Sequence, residues 1–380
     1  METNNVISEE KIAKLESQIL EERSKLSSDR MDISFGEIIN LYQNGELIIR
    51  PEYQRLFRWS NNQKTSLIES ILMGIPIPPI FVAEDDEGVW ELVDGLQRIT
   101  TIISFFGGLN PQNQQILQSE SAEAYEEQID TLNNWTLEDG SLIVGLEGFN
   151  SNNLPKKYLL NIKRSVCRVE ILRGKSNISM KYELFKRLNS GGSELTAQEI
   201  RNAIYRGYNS IINELIEELS KKPEFISLTN LSKKKKQQLY DQELVLRFIA
   251  FYNNISNVNS NAENFLDDFM ETNTKDLNFD IDKYRVLFNS VLELLHSLND
   301  ENIFKNSVNN FVPSLYEGIT IGTAQNIDYY KNNTDVLVSR IQELKEDVEF
   351  KSFSGSASNS RSRVKKRLKR AEHIFLVKED

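Results

Sequence analysis

Leu92-Val93-Asp94-Gly95-Leu96-Gln97-Arg98-Ile99-Thr100-Thr101-Ile102-Ile103-Ser104-Phe105-Phe106-Gly107-Gly108 reads as a strand end, a turn at Asp94-Gly95 and an apolar helix from about Leu96 to Phe106 that stops at the glycine pair. A strand that passes at once into a helix leaves the first backbone N–H groups of that helix unpaired and aimed at one small volume. The helix dipole adds partial positive charge there. Gly95 lets a phosphate approach the backbone, and Arg98 in the first turn offers a planar two-pronged donor. The turn is therefore a candidate anion site. Asp94 has three open roles: helix cap, Mg²⁺ ligand, or the group that orients a water. The plainer alternative is that Asp94 caps the helix while Arg98 pairs with a surface carboxylate.

Upstream, Gly74-Ile75-Pro76-Ile77-Pro78-Pro79 is excluded from helix because proline removes donors and restricts its predecessor. It delivers the chain into a strand at Ile80 to Ala83. Asp85-Asp86-Glu87-Gly88 then turns it into the returning strand Val89 to Val93. Helices are expected over Phe35 to Tyr42 and Asn62 to Met73, a short apolar run at Ile48 to Ile49 leads into Arg50-Pro51, and further strands are expected at Leu142 to Leu146 and Val166 to Leu172. Residues from about Asn110 to Asp139 read as an acidic helical insertion. Near the start, Ile12, Leu15, Ile19 and Leu26 stand at near-heptad spacing in a Glu/Lys-rich stretch, a short amphipathic helix. After Arg173-Gly174-Lys175-Ser176-Asn177 the pattern turns helical nearly to the end, beginning with Ile178 to Leu188 and Thr196 to Tyr205, where Thr196 and Glu199 have capping-box spacing. The expected organisation is thus α+β: an N-terminal helix over 1–31, a small mixed-sheet domain over 32–175, and an α-helical lobe over 176–380 with a basic C-terminal segment.

Composition narrows the function. Hydrophobic residues at 39% and charged residues at 27% of 380 positions allow a sizeable core. A chain of that length favours two lobes over one core. No apolar run approaches the roughly 20 residues that cross a bilayer, and Met1-Glu2-Thr3-Asn4-Asn5 has no signal-peptide character, so a cytoplasmic location without membrane contact is expected. Cys167 stands alone in a strand-like alternation, which fits a packed core thiol. The two histidines, His296 and His373, lie apart from other zinc ligands, which argues against histidine-metal nucleases and zinc hydrolases. A net charge of −11 argues against non-specific coating of nucleic acid, yet leaves room for local basic patches. Two stand out: Lys233 to Lys236, and Arg361, Arg363, Lys365, Lys366, Arg367, Lys369 and Arg370. A solvated charged face is the alternative for each.

Two further clusters carry candidate chemistry. Arg50-Pro51-Glu52-Tyr53-Gln54-Arg55-Leu56-Phe57-Arg58-Trp59 packs three arginines and three aromatics into one short stretch, which suits nucleotide or DNA contact through Tyr53, Arg55 and Arg58. Phe57 and Trp59 read more simply as core rings. Asn189-Ser190-Gly191-Gly192 precedes the helix carrying Arg201, and Asn189 with Arg201 would close a site from the helical lobe. An ordinary helix–helix connection is the alternative. Glu349 and Lys351 in Asp347-Val348-Glu349-Phe350-Lys351 have a Glu-x-Lys spacing found in nucleases, but chance produces it often, and a surface helix end is the better reading.

The order Tyr53-Gln54-Arg55 with Trp59, Ile75 to Pro79, Asp94 to Arg98, and Asn189-x-Gly-Gly followed by Glu199-Ile200-Arg201 resembles the N-terminal domain family of GmrSD-type modification-dependent restriction enzymes. The resemblance extends over about residues 32 to 372. It implies a ParB/sulfiredoxin-like core, nucleoside triphosphate binding with Mg²⁺, and catalytic roles for Asp94 and Arg98, with Asp94 as metal ligand. It implies phosphate contacts from Gly95, Gln97 and Arg98, joined by Tyr53, Gln54 and Arg55, the segment with which some relatives sense modified DNA phosphate. Leu96 replaces the first glutamine of the family's Asp-Gly-Gln-Gln-Arg motif, which bears on hydrolysis more than on binding. Sulfiredoxin chemistry is disfavoured, because it needs a cysteine next to its phosphate-binding turn and Cys167 lies in strand-like sequence. The His-Asn-His-type nuclease domain of such enzymes has no counterpart here.

The expectation is therefore an NTP-binding protein, a weak Mg²⁺-dependent NTPase, acting as the sensor half of a bacterial anti-phage, restriction-like system. Its expected partners are DNA, modified DNA included, a separately encoded nuclease or effector, and a second copy of the chain. Arg363, Lys366 and Arg367 of the basic segment would add DNA contacts. The alternative is a nucleotide-independent DNA-binding or partner-regulating module without catalysis.

Overall fold

The computed structural model describes residues 8–24, 27–49, 59–85, 87–109, 132–133, 135–173, 196–205, 211–252, 254–276, 278–355 and 358–377. The chain divides into two compact units, Met1–Gly191 and Gly192–Asp380. The segment 50–58, most of the acidic insertion and the helix expected over 178–188 lie outside the described residues.

In the first unit, α1 (Glu9–Ser24) is followed by β1 (Ser27–Ser34), α2 (Phe35–Gln43), β2 (Leu47–Ile48) and α3 (Asn61–Leu72). Ser34 caps α2 by accepting from the Glu37 N–H. Ser60 and Gln63 form a full capping box at the start of α3. Next come β3 (Ile80–Glu84), β4 (Trp90–Asp94), α4 (Leu96–Phe105), α5 (Lys156–Arg164) and β5 (Val166–Arg173). The strands order as β1-β5-β3-β4-β2. β3 pairs with β4 antiparallel and with β5 parallel, and β1 lies antiparallel to β5. The sheet is therefore mixed and the fold α+β, as the alternation of short strands and helices implied. Central β3 buries Ile80, Val82 and Ala83, and α4 buries Ile99, Ile102, Ile103 and Phe105, each large apolar side chain contributing about 1.5–3 kcal/mol. That burial fixes the β4–α4 turn on a rigid base.

β1, residues 142–146 and α5 depart from the sequence reading, which has no helix over 156–164. β1, Ser-Ser-Asp-Arg-Met-Asp-Ile-Ser, is a polar strand without apolar alternation. It is knit to β5 by cross-strand pairs, Arg30 with Glu170 (3.1 Å), Arg168 with Asp32 (3.0 Å) and Arg173 with Asp29 (3.0 Å). Residues 142–146 are not a strand. Their backbone donors turn inward instead, and the Leu142 and Ile143 N–H groups both donate to Glu69 Oε1 at 2.7 Å. The Ser141 hydroxyl donates to Glu69 Oε2 at 3.0 Å, so a buried carboxylate on α3 organises this loop in place of a neighbouring strand.

The second unit is helical among the described residues: α6 (Ala197–Tyr205), α7 (Ile211–Ser220), α8 (Pro223–Thr229), α9 (Lys233–Gln237), α10 (Tyr240–Tyr252), α11 (Ala262–Thr274), α12 (Ile281–Ser297), α13 (Pro313–Gln325), α14 (Ile327–Asn332), α15 (Thr334–Glu346), α16 (Val348–Ser354) and α17 (Arg361–Phe375). The Thr196–Glu199 capping box is present, with Thr196 N–H donating to Glu199 Oε2 at 2.7 Å and Glu199 N–H to Thr196 Oγ1 at 3.3 Å. α13 is the central helix, buried from Ser314 to Ala324. A Cβ at Gly322 would stand 2.5 Å from Phe375 Cγ, so the glycine is what lets α17 seat its last ring against α13.

Inside this unit runs a chain of buried ions. Glu317 bridges Arg247 (2.6 Å) and Arg367 (2.6 Å), and Arg247 also pairs with Glu243 at 2.9 Å. Arg201 meets Asp267 at 2.6 Å and Glu243 at 3.5 Å. Every partner is compensated, which is the condition for keeping such charges away from water.

Candidate functional site

At the end of β4 the backbone of Gly95 takes φ 99° and ψ 13°, and α4 begins at the next residue. Only glycine fits. The dihedral is left-handed, and a Cβ there would meet Ile80 Cγ2 at 2.5 Å and Arg98 Nη2 at 3.3 Å. No side chain caps α4, and its first intrahelical bond is Ile99 N–H to Gly95 O at 2.9 Å. The N–H groups of Leu96, Gln97 and Arg98 therefore precede the hydrogen-bond ladder, which is the arrangement that receives anions.

Asp94 is not the helix cap. Its Oδ2 accepts from Arg98 Nη2 at 3.0 Å across one turn, and the same nitrogen donates to the carbonyl of Pro79 at 3.2 Å. The proline run thus does a second job besides steering the chain: its last carbonyl anchors the Arg98 guanidinium. Arg98 Nε is buried and without a hydrogen-bond partner among the described residues. The side chains of Asp94 and Arg98 remain 32% and 19% exposed, so the pair lies at the surface end of a buried turn. Behind it lies Cys167. Burial pushes its thiol up to about 11, opposed by the charge of Arg98, and the thiol is 1% exposed. It is a packed core group at working pH.

Gln97 supplies the link to the aromatic-arginine cluster. Its Oε1 accepts from the backbone N–H of Trp59 at 3.2 Å, so the chain leaving the segment 50–58 is fastened to the first turn of α4. The bond connects two motifs 38 positions apart, a juxtaposition that spacing alone does not reveal. Tyr53, Gln54, Arg55, Arg58 and Asn189 lie outside the described residues.

The second unit corrects two assignments. Arg201 is fully buried, with Nε on Asp267, Nη1 on Gln198 Oε1 (3.1 Å) and Nη2 on the Glu263 carbonyl (3.3 Å). It anchors α6 to α11 and does not point at a ligand. Arg367 is 1% exposed and is bound to Glu317 and to the Ser358 carbonyl, so it is not a DNA contact. The helical periodicity of 361–370 places it on the inner face, which a count of basic residues overlooks. Lys366 is exposed on the outer face, its amine 5.3 Å from the Phe353 ring centroid, while Arg363 is partly buried. Glu349 and Lys351 sit in helix α16, where Asp347 caps the N-terminus and pairs with Arg370 at 2.6 Å, in keeping with a helix end.

Among the described residues no group of three or more His, Cys, Asp or Glu is placed to hold a metal, and no helix is long and apolar enough to cross a membrane. Residues 35–206 match the family model described as GmrSD restriction endonuclease, N-terminal domain. No curated protein and no solved structure matches the chain.

Proposed function

Residues 35–206 belong to the GmrSD restriction endonuclease N-terminal domain family, and from that premise we propose that the chain is the sensor component of a restriction-like, DNA-targeting defence system that binds a nucleoside triphosphate at the Asp94–Arg98 turn. The observation that carries the reading is the uncapped start of α4 beside a guanidinium whose buried Nε has no acceptor among the described residues. Phosphate oxygens supply acceptors for both. The N–H groups of Leu96, Gln97 and Arg98 would take one phosphate, and Arg98 would bridge to it while keeping its Pro79 anchor.

Asp94 sets a condition on this chemistry. A carboxylate beside an incoming phosphate repels it unless a cation stands between them, and Arg98 already shields one oxygen. Mg²⁺ fits the remainder, because it commonly binds through one or two carboxylates with phosphate and water completing its shell. Asp94 would hold the ion, and the ion would neutralise charge on the phosphates. Leu96 adds no polar group for a water, so occupancy with slow hydrolysis is the expected behaviour, with the nucleotide state controlling DNA engagement or a separately encoded effector. Trp59, fastened to Gln97, would carry that state into the arginine-rich segment.

Ligand linkage tests this. Saturating NTP with Mg²⁺, at about 100 times its dissociation constant, should stabilise wild type by about 2.7 kcal/mol in chemical denaturation and leave Arg98→Ala unchanged. Failure of every NTP to stabilise folded wild type would overturn the proposal. Salt-sensitive DNA binding that ignores nucleotide would then favour a DNA-binding module without catalysis.

A further inference from the structure

α5 lies outside every motif discussed so far and has an unusual charge distribution for this chain. Residues 148–169 contain no Asp or Glu, in a protein with 56 of them. Within that stretch α5 carries Lys156, Lys157, Lys163 and Arg164, all exposed, while Ile162 is the helix's buried residue. At about 100° per residue, the four cations fall within one sector of about 120°, with Leu160 at its centre and Ile162 facing the opposite way. Lys157 and Arg164 are seven residues apart, about 10.5 Å along the axis. With Leu160, Asn161 and Ser165 they line a surface hollow of about 340 Å³.

No carboxylate lies within ion-pair distance of the four among the described residues. On the neighbouring strands, by contrast, Arg30, Arg168 and Arg173 are all paired. Lys156 and Lys157 stand in the first turn, where the helix dipole disfavours cations, so helix stability does not call for them. Lys163 rests over the Phe106 ring at 4.7 Å and keeps its charge exposed. The other basic runs differ. Arg367 and Arg370 of the C-terminal segment are bound internally, and Lys233–Gln237 is a single short turn whose consecutive lysines point to all sides.

We propose that this face of α5 is a docking surface for the phosphate backbone of double-stranded DNA. The proposal deepens the DNA-targeting reading above and makes no use of the Asp94 turn. Charge complementarity selects the partner: a row of cations on one helix face, without ion-pair partners among the described residues, matches a regular polyanion. A protein interface would need aromatic or aliphatic anchors at its centre, and this sector offers only half-exposed Leu160.

The test uses the full chain carrying Lys156→Gln, Lys157→Gln, Lys163→Gln and Arg164→Gln, all tolerated by helix propensity, with the pair Lys157→Gln/Arg164→Gln as a milder variant. Anisotropy with a labelled DNA duplex is read across a salt series. Wild type should bind at low salt. The quadruple variant should lose at least about tenfold in affinity, and its log–log salt slope should fall by up to about 3.6, the value for four phosphate contacts. The double variant should lose about half that slope. Unchanged affinity and slope in either variant, no DNA binding by wild type at about 50 mM salt, or displacement by polyglutamate as effective as by competitor duplex would each overturn the proposal. Arg98→Ala should retain DNA binding while losing nucleotide, so failure of one proposal is distinguishable from failure of the other.

Discussion

Replacing Gly95 by alanine probes the turn on which the site rests, and the structure sets the size of the effect. The left-handed backbone at φ 99° costs a non-glycine residue about 1–2 kcal/mol. The added methyl would stand 2.5 Å from Cγ2 and 3.0 Å from Cβ of Ile80, a side chain only 1% exposed at the start of β3. Overpacking of this kind costs about 1–3 kcal/mol, so Gly95→Ala should destabilise by about 2–5 kcal/mol. Urea unfolding followed by tryptophan fluorescence reports on the right unit, because Trp59, Trp90 and Trp135 all lie in the first one. Ile80→Leu moves the branch away from Cβ and removes the γ2 methyl. The double variant should therefore be more stable than the sum of the singles by about 1–2 kcal/mol, well above the additivity error of about 0.3–0.5 kcal/mol. A loss below about 1 kcal/mol in Gly95→Ala, or strict additivity with Ile80→Leu, would refute the packing argument.

Three other perturbations follow from the same geometry. The Glu69 carboxyl is lowered foremost by the Ile143 N–H, then by Leu142 and Ser141. Its contribution is therefore fully present above the unfolded value near 4.3 and lost as pH falls through the folded one. Glu69→Gln should cost about 1.5–3 kcal/mol at pH 7 and flatten the fall in stability below about pH 4.5, read by unfolding midpoints across pH. Glu317 is fully buried between Arg247 and Arg367, so Glu317→Gln should destabilise by about 3–5 kcal/mol, measured by circular dichroism in urea. Asp94→Asn removes the charge facing the phosphates: NTP affinity without Mg²⁺ should rise, and the gain on adding Mg²⁺ should shrink, both by calorimetry.

The strand–turn–helix around Asp94-Gly95 was legible because it is local: Gly95 supplies the turn, and the apolar period of α4 defines the helix. The proline run and the hairpin at Asp85 were readable for the same reason. What escaped was set by distant partners. β1 is polar and owes its place to backbone pairing with β5 along its whole length, with surface ion pairs alongside, while residues 142–146 look strand-like until Glu69 takes their donors. α5 is nine residues long and buries one of them, Ile162, so its tertiary anchor is a single side chain. At the candidate site, the residue types marked the right turn, but the bonds that Arg98 makes to Asp94 and Pro79, and that Gln97 makes to Trp59, depend on tertiary approach. Arg201 and Arg367 were misread for the converse reason. A basic residue reads as outward-facing from its type alone, whereas helix phase and the acids Asp267, Glu243 and Glu317 draw these two inward.

Calorimetric titration of each NTP with Mg²⁺ into the full chain, beside Arg98→Ala and with phosphate release followed in the same samples, addresses the phosphate site itself. Saturable binding by wild type, abolished in a folded Arg98→Ala protein and accompanied by slow phosphate release, is the expected result. Absence of binding by wild type, or binding that Arg98→Ala leaves intact, would contradict the assignment of the Asp94–Arg98 turn as the nucleotide site.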